Sequence, residues 1–507
     1  MKTPILGQSY VVRSPNAAAA RMVNLYPEVL IEGKEAAYLQ RCPGLRRLAA
    51  IGNGPIRGLW AFGGYGYVVS GTQLFKIDSG YNATLLGAVS GDTPVSMVDN
   101  GTQLFVACNG PSYIYNSATN VFGQITDPDF PGAVTVGFLD GFFVFNEPNS
   151  QRLWVTELLD GTQINADETA SAEGSPDGVV SIIVDHRELW VFGTNSVEVW
   201  YNAAKPDGFP FERIQGAFNE IGCAATYSVA KLDNGLFWLG TDARGKGIVY
   251  RSNGYTGQRV STHAVEFAIQ SYPVISDAIA YTYQQDGHSF YVLTFPTANK
   301  TWVYDVATQA WHERASGPDN QRRHRSNCQM AFNGEIVVGD YQQGLLYAFD
   351  LDTYTDDSAT QKWLRSWRAL PPGQNNLKRT AHHALQLDAE TGVGLNGIAA
   401  SEFYGLLLTE NNDFLVTESG DFMEVSSDVV PGADPQVMLR WSDDGGHTWS
   451  NEHWRSMGRI GEYGYRTIWR RLGMTTKLRD RVYEISGTDP VKIAIMGAEL
   501  QISPTDA

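Results

Sequence analysis

The stretch WSDDGGHTWS, Trp441 to Ser450, gathers several proton-handling side chains within one turn. Ser442 and Asp444 are spaced to accept hydrogen bonds from the turn's own backbone. Gly446 supplies a φ that side-chained residues avoid. Thr448 adds a hydroxyl, and Trp449 can tuck under the hairpin. A carboxylate used this way is a structural device, because glycoside chemistry needs a second carboxylate at a fixed separation. GTDARGKG, Gly240 to Gly247, nearly fits the phosphate-binding pattern G-x-x-x-x-G-K-[ST]. Gly247 stands where a hydroxyl must hold magnesium, and the strand-like IVYRS follows where a helix should, so a hairpin loop is expected. The densest basic run is Arg322, Arg323, His324 and Arg325. It is a candidate contact for DNA phosphates or an acidic partner, against the plain alternative of a solvated loop. His382 and His383 are adjacent and point apart, so they chelate poorly. No H-E-x-x-H, clustered Cys/His or G-x-S-x-G occurs. The expectation is no catalytic residue, no metal and no cofactor.

The elements around these residues repeat. LWAFGGYGYVVSGTQLFKID begins at Leu59, and comparable units begin at Met97, Gly137, Ile182, Leu232, Tyr281 and Met330. Each has a short strand, a tight turn, a β-branched and aromatic strand, a loop and another strand. The turns include Asn100-Gly101, Asp140-Gly141, Asn234-Gly235, Asp286-Gly287 and Asn333-Gly334. Asn-Gly and Asp-Gly supply the positive φ angles of tight hairpins. A spacing of roughly 36 to 52 residues is that of β-propeller blades. Six or seven blades both fit, since one blade is often stitched from both ends of a chain. The expected fold is therefore all-β, a propeller over residues 51–350 with a second domain after it.

Residues 1–50, rich in Ala, Arg and Pro, read as an N-terminal arm with at most a short helix. From Val437 the alternation resumes in VMLRWSDDGGHTWS, YRTIWRRLG, RVYEISG and VKIAIMGAELQIS, the strands of a β-sandwich within 351–507. Between them, 386–435 holds ten Asp or Glu and no Lys, Arg or His, and reads as an acidic insert.

Composition narrows the function. The 507 residues carry a net charge of −17. Affinity for nucleic acid comes from neutralising phosphates, so this chain should not grip DNA. An acidic wall can still surround a duplex and let it slide. Cys42, Cys108, Cys223 and Cys328 lie far apart and read as free thiols of a reducing compartment. No apolar run is long enough to span a membrane, and the N-terminus lacks an apolar signal core.

The Trp441–Ser450 turn resembles the Asp-box hairpin of sialidases. Such turns recur on several sialidase blades, away from the catalytic centre. Only one is found here, and the N-terminal Phe-Arg-Ile-Pro signature of those enzymes, which also need three convergent arginines, a Tyr–Glu pair and an acidic partner, is missing; FERIQG at Phe211 is not it. A sialidase-like or other glycan-acting propeller enzyme is the alternative reading, with a sugar-binding propeller beside it. Trp60, Trp154, Trp190 and Trp238 could stack on sugars, but they sit in strand patterns and are expected in the core.

A broader resemblance covers most of residues 10 to 350. The opening VRSPNAAAARMVNLYPEVL…YLQRCPGLRRL…GPIRGLW…YVVSGTQLFKI is similar to the packaged-DNA stabilisation or tail nozzle proteins of short-tailed phages. SPDGVVSIIVDHRELWVFGTNSVEVWYNAA, FERIQGAFNEIGCAATYSVAKLDNGLFWLG and GYTGQRVSTHAVE continue it. The resemblance implies a structural virion protein, not an enzyme. It implies a propeller body in a homo-hexameric ring below the portal and tail adaptor, with a β-sandwich that docks tail fibres or spikes. The lumen would be the DNA exit channel, closed by a needle or plug until ejection. Assembly in the host bacterial cytoplasm and residence in the virion tail follow. The acidic stretch is expected to line the channel or its tip, and the 1–50 arm to touch the adaptor or a neighbouring subunit.

Overall fold

Hairpin turns set the architecture. Gly63-Gly64, Asp140-Gly141, His186-Arg187, Asp233-Asn234, Asp286-Gly287 and Asn333-Gly334 each have two successive residues at positive φ. That is the mirror-image turn whose twist matches paired strands. Each joins the first and second strands of a four-stranded antiparallel unit. The expected Asn234-Gly235 turn is shifted one residue back, onto Asp233-Asn234. The His186-Arg187 turn carries no sequence signal at all.

The computed structural model describes the chain except residues 15–17, 34, 173, 175–176, 206–207, 243–244, 321, 372–378, 396–403, 407–423, 427–430, 476–480 and 505–507. Seven sheets radiate around one axis. Blade one comprises Ile56–Phe62, Tyr65–Ser70, Gln73–Ile77 and Ala83–Ala88, in spatial order. Blades two, three and four begin at Ser96–Asp99, Val136–Leu139 and Val179–Asp185. Blade five is built on Gly235–Asp242, and blade six starts at Ile279–Gln285. Blade seven takes three strands from Ser326–Phe332, Glu335–Asp340 and Leu345–Asp350. Its fourth strand is Gly44–Ala50, which pairs antiparallel from Leu345↔Ala50 to Asp350↔Gly44. The ring is thus closed by both ends of the propeller sequence.

Alternation along each strand divides its side chains between two neighbours. On Gln103–Ala107, Leu104 and Val106 pack toward blade one, while Phe105 and Ala107 pack toward blade three. Trp190 and Phe192 meet Trp238 and Tyr250 between blades four and five. Such cores repeat at every seam, so the propeller holds itself by seven apolar contacts in a circle.

The expected arm at 1–50 does not stand apart from the domains. Besides closing blade seven, it contributes Leu25–Val29 and Ala37–Arg41 to the sandwich. Met22–Val23 lies between Ala310–Ser316 of blade six and Trp363–Arg368 of the sandwich, pairing with both. The sheet therefore runs unbroken from blade six through Trp363–Arg368, Val482–Gly487 and Gln436–Ser442 to His453–Ser456. The facing sheet has the order Leu25–Val29, Ala37–Arg41, Ala494–Pro504, Thr380–Ala389, Ile468–Arg470. Trp363, Trp367, Trp469, Leu385 and Ile485 fill the space between the two. The segment's alanines and prolines hid its β pairing, because its strands are short and, apart from local hairpins such as that of Leu25–Val29 with Ala37–Arg41, their partners lie hundreds of residues away.

Two buried guanidiniums fasten the seam. Arg41 donates to the carbonyls of Asp489 (2.6 Å), Val491 (3.0 Å) and Tyr354 (2.9 Å). Arg365 donates to the carbonyls of Ile5 (2.6 Å), Gln8 (3.1 Å) and Arg21 (3.3 Å). The one α-helix among the described residues, His263–Gln270, follows blade five and is capped by Thr262.

The first residues of the expected acidic insert, through Ala389, are the end of Thr380–Ala389. Most of 396–430 lies outside the described residues, apart from the paired strands Tyr404–Leu406 and Glu424–Ser426.

Candidate functional site

The Asp-box turn joins Gln436–Ser442 to His453–Ser456, in the sandwich and not in a blade. Ser442 Oγ donates to Asp444 Oδ1 at 2.6 Å and accepts from the Gly446 amide at 2.8 Å. Asp444 also accepts from the amides of His447 (2.9 Å) and Thr448 (2.9 Å) and from Thr448 Oγ1 (2.7 Å). Gly446 sits at φ 104°, which a side chain would strain. These donors, led by Ser442, hold the Asp444 carboxyl well below the usual carboxylate range. Trp449 lies 4.7 Å from the Arg440 guanidinium, its ring covered by the cation. The neighbouring Asp443 is engaged as well, gripped by Arg481 at 2.6 and 2.8 Å. Both aspartates of the turn are committed to structure, and neither is placed to give or take a proton.

The basic run is folded inward. Arg322–Arg323 forms a short strand against the end of blade six. Arg323 is buried, its guanidinium 3.7 Å above the Tyr341 ring. His324 is buried and meets Ser326 Oγ at 2.6 Å; burial, with Arg314 and Arg325 nearby, pushes its pKa down to about 3. Arg325 reaches Asp340 at 3.2 Å and the Asp356 carbonyl at 3.3 Å. Of the four, Arg322 alone is exposed. The run ties blade six to blade seven and presents no continuous basic face.

Elsewhere, His382 is buried against Tyr483 (2.8 Å), while His383 is exposed and meets Ser503 (2.8 Å). Gly240–Gly247 straddles the hairpin of Gly235–Asp242 and Gly245–Asn253. Trp154, Trp190 and Trp238 are buried in the blades. Trp60 faces the central channel and donates to Asp99 at 2.8 Å. Among the described residues, no group of three or more His, Cys, Asp or Glu is placed to hold a metal ion.

The innermost strands of all seven blades enclose a channel of about 480 Å³, lined by Arg57, Trp60, Met97, Phe138, Ile183, Tyr227 and Tyr281 among others. Arg57 is buried in its wall, held where blade one meets blade two by the carbonyls of Thr93 (2.6 Å), Gly71 (2.8 Å) and Ser90 (2.9 Å). Such a space is the size of a small-ligand pocket. Sequence reasoning missed one surface altogether, the exposed arginines and aromatics between His453 and Arg471 at the open side of the sandwich. They were legible as letters, but only the fold gathers them on one edge.

Comparison with curated proteins finds no match. Among solved structures, the extracellular domain of the putative hybrid two component system BT4673 from B. thetaiotaomicron is similar at 12% identity and TM-score 0.42, over 87% of this chain and 58% of that one. Virginiamycin B lyase from Staphylococcus aureus is similar at 12% identity and TM-score 0.39, over 60% of this chain and 97% of that one. Likenesses this distant fix no function. A family model described as bacteriophage P22 Gp10, beta-propeller, matches residues 1–354, and one described as bacteriophage P22 Gp10, beta-sandwich, matches residues 400–503. With a seven-bladed propeller running into a β-sandwich, the chain belongs to the bacteriophage P22 Gp10 family, the tail nozzle and DNA-stabilisation proteins of short-tailed phages.

Proposed function

We propose that this phage tail structural protein works as one of six identical subunits of a nozzle ring. The ring extends the DNA exit channel, retains packaged DNA and docks fibres or spikes through its sandwich, without catalysis or cofactor. One observation carries the reading. The propeller's own channel, about 480 Å³ and lined by apolar side chains such as Met97, Phe138 and Ile183, has no room for a duplex whose major groove alone is about 12 Å wide. In this reading DNA passes between subunits and not through one of them, and a ring is the simplest assembly that leaves such a lumen. The net charge of −17 suits a wall along which DNA slides.

The sheet shared by blade six and the sandwich makes each subunit a stiff piece of that wall. The upper partner would be the tail adaptor, and the lumen would be closed by a needle or plug. Contact with the adaptor or a neighbour, expected of the arm, narrows to the turn after Leu25–Val29, where Ile31 is fully exposed. Assembly would occur in the host bacterial cytoplasm. Acidic residues of 386–435 would line the lumen or its tip. The test is ejection from particles whose ten carboxylates there are replaced by amides. Slowed or blocked ejection supports a lumenal position, and an unchanged rate refutes it. Particles assembled without the protein should leak DNA; full retention would remove the stabilising role.

A further inference from the structure

The two sheets of the sandwich both end at the same open side. His453–Ser456 is the last strand of one sheet and Ile468–Arg470 the last of the other, and each pairs on one side only among the described strands. Between and on them, residues 453–471 hold five arginines and one glutamate, a net +4 that leaves −21 for the rest of a chain totalling −17. Arg455, Arg459, Arg466, Arg470 and Arg471 are all exposed. None forms an ion pair among the described residues. Apolar groups stand beside them: Tyr463 is 79% exposed, Ile460 57% and Trp454 46%. Charge on an edge strand is one way to discourage aggregation, but that purpose does not call for exposed Trp, Tyr and Ile. Arginine with Trp and Tyr is the composition of protein interface centres.

A complementary surface exists on the same chain. At the outer corner of blade three, Leu158 and Leu159 are 60% and 59% exposed. Around them lie Glu157, Asp160, Asp167 and Glu168, with no cation paired to any of them among the described residues. Burial, then the nearby Glu157 charge, raises the Glu168 pKa; burial would also raise Asp160, but hydrogen bonds from Thr162 and Gln103 hold it below its ordinary value. Blade three is also three blades from both blade six and blade seven, which carry the sandwich. In a seven-bladed ring it is therefore on the far side, about 150° away from either.

We propose that the basic, aromatic edge at 453–471 docks on the acidic, leucine-bearing corner of blade three of a second copy of this chain. The contact is heterologous, the head-to-tail kind from which a closed ring is built when its rotation closes. The inference deepens the ring reading above and rests on it.

The experiment uses two full-length variants. One carries R455E, R459E and R466E; the other carries E157K, D167K and E168K. Self-association is read by sedimentation, alone and on portal–adaptor particles. Each variant alone should associate at least tenfold more weakly than the parent. An equal mixture should recover assembly, because each restores the charge its neighbour lost. Recovery also shows that both variants fold. If either variant assembles as the parent does, the docking surface is wrong and the ring reading stands. Failure of the mixture to recover overturns the pairing. If the parent itself never assembles, the ring reading falls and takes this inference with it. The rival ligand is nucleic acid. Binding of a short DNA duplex by the parent, lost in the arginine variant while its assembly is intact, assigns the edge to phosphates and overturns the proposal.

Discussion

Arg21 grips Glu313 with two hydrogen bonds, Nε to Oε1 at 3.1 Å and Nη2 to Oε2 at 2.8 Å, across 292 residues of chain. The pair stands where Met22–Val23 inserts between blade six and the sandwich, at the parallel pairing Val23↔Glu313. Burial, the largest single influence, would raise the Glu313 carboxyl, but the Arg21 charge and hydrogen bonds, with Lys300 and Ser9, together hold the group below its ordinary value. R21A leaves that carboxylate largely buried without its cation. The expected loss is about 2 kcal/mol in urea unfolding. An unchanged midpoint would mean that the seam does not depend on this pair.

Deleting residues 1–50 removes the closing strand of blade seven, two sandwich strands and Arg41. The exposed edge of Leu345–Asp350 would then be open to pairing with other chains. The truncated chain should aggregate or lose cooperative melting. A soluble, monodisperse product with the parent's circular dichroism would contradict the closure.

Stability should peak near pH 6.5. His288 is buried between Asp305 (2.8 Å) and Glu28 (2.5 Å). Burial alone would lower its pKa, but hydrogen bonds to Asp305 and Glu28 push it up to about 9. Its contribution is present below the unfolded value of about 6.5 and is lost as pH rises to about 9. His324 and His382 run the other way. Burial pushes both down to about 3, so they must take up protons on unfolding below about 6.5. Melting temperature should fall on both sides of the maximum. H288Q should flatten the alkaline limb and leave the acid limb. A flat alkaline limb in the parent would refute the His288 assignment.

The native thiols should be inert. Cys42, Cys108 and Cys223 are buried, and burial raises Cys108 to about 12 and Cys223 to about 11. A thiol reagent near neutral pH should label at most the half-buried Cys328 in the folded protein, and all four cysteines after denaturation. Rapid labelling of three or more in the native state would contradict this packing.

D444A should cost about 1 kcal/mol, since several turn amides lose their acceptor. No glycan-related activity should change, because the turn serves the hairpin alone. An effect on binding or turnover of a sialoside, with stability intact, would reopen the enzyme reading.

The blades were legible because their signals are local. Asp-Gly and Asn-Gly turns and alternating strands such as Gln103–Ala107 speak for themselves within one unit. The closing strand and the sandwich's first hairpin were not legible. Leu45 and Leu39 acquire meaning only beside Phe349 and Ile495, some three hundred or more residues on. The Asp-box was readable down to the hydrogen bonds of Ser442 and Asp444, since its partners lie within six residues. The Arg322–Arg325 run was misleading as a surface: composition marks it as basic, and only the packing of Tyr341 and Asp340 shows it turned inward. The arginines from Arg455 to Arg471 are the converse, spread too thinly in sequence to form a run.

The most direct test of the nozzle account is the number of copies that join a portal–adaptor particle, measured by the gain in mass on sedimentation. The account predicts six, added together, even if the free protein is a monomer. A protein that stays monomeric both alone and with the particles would contradict it.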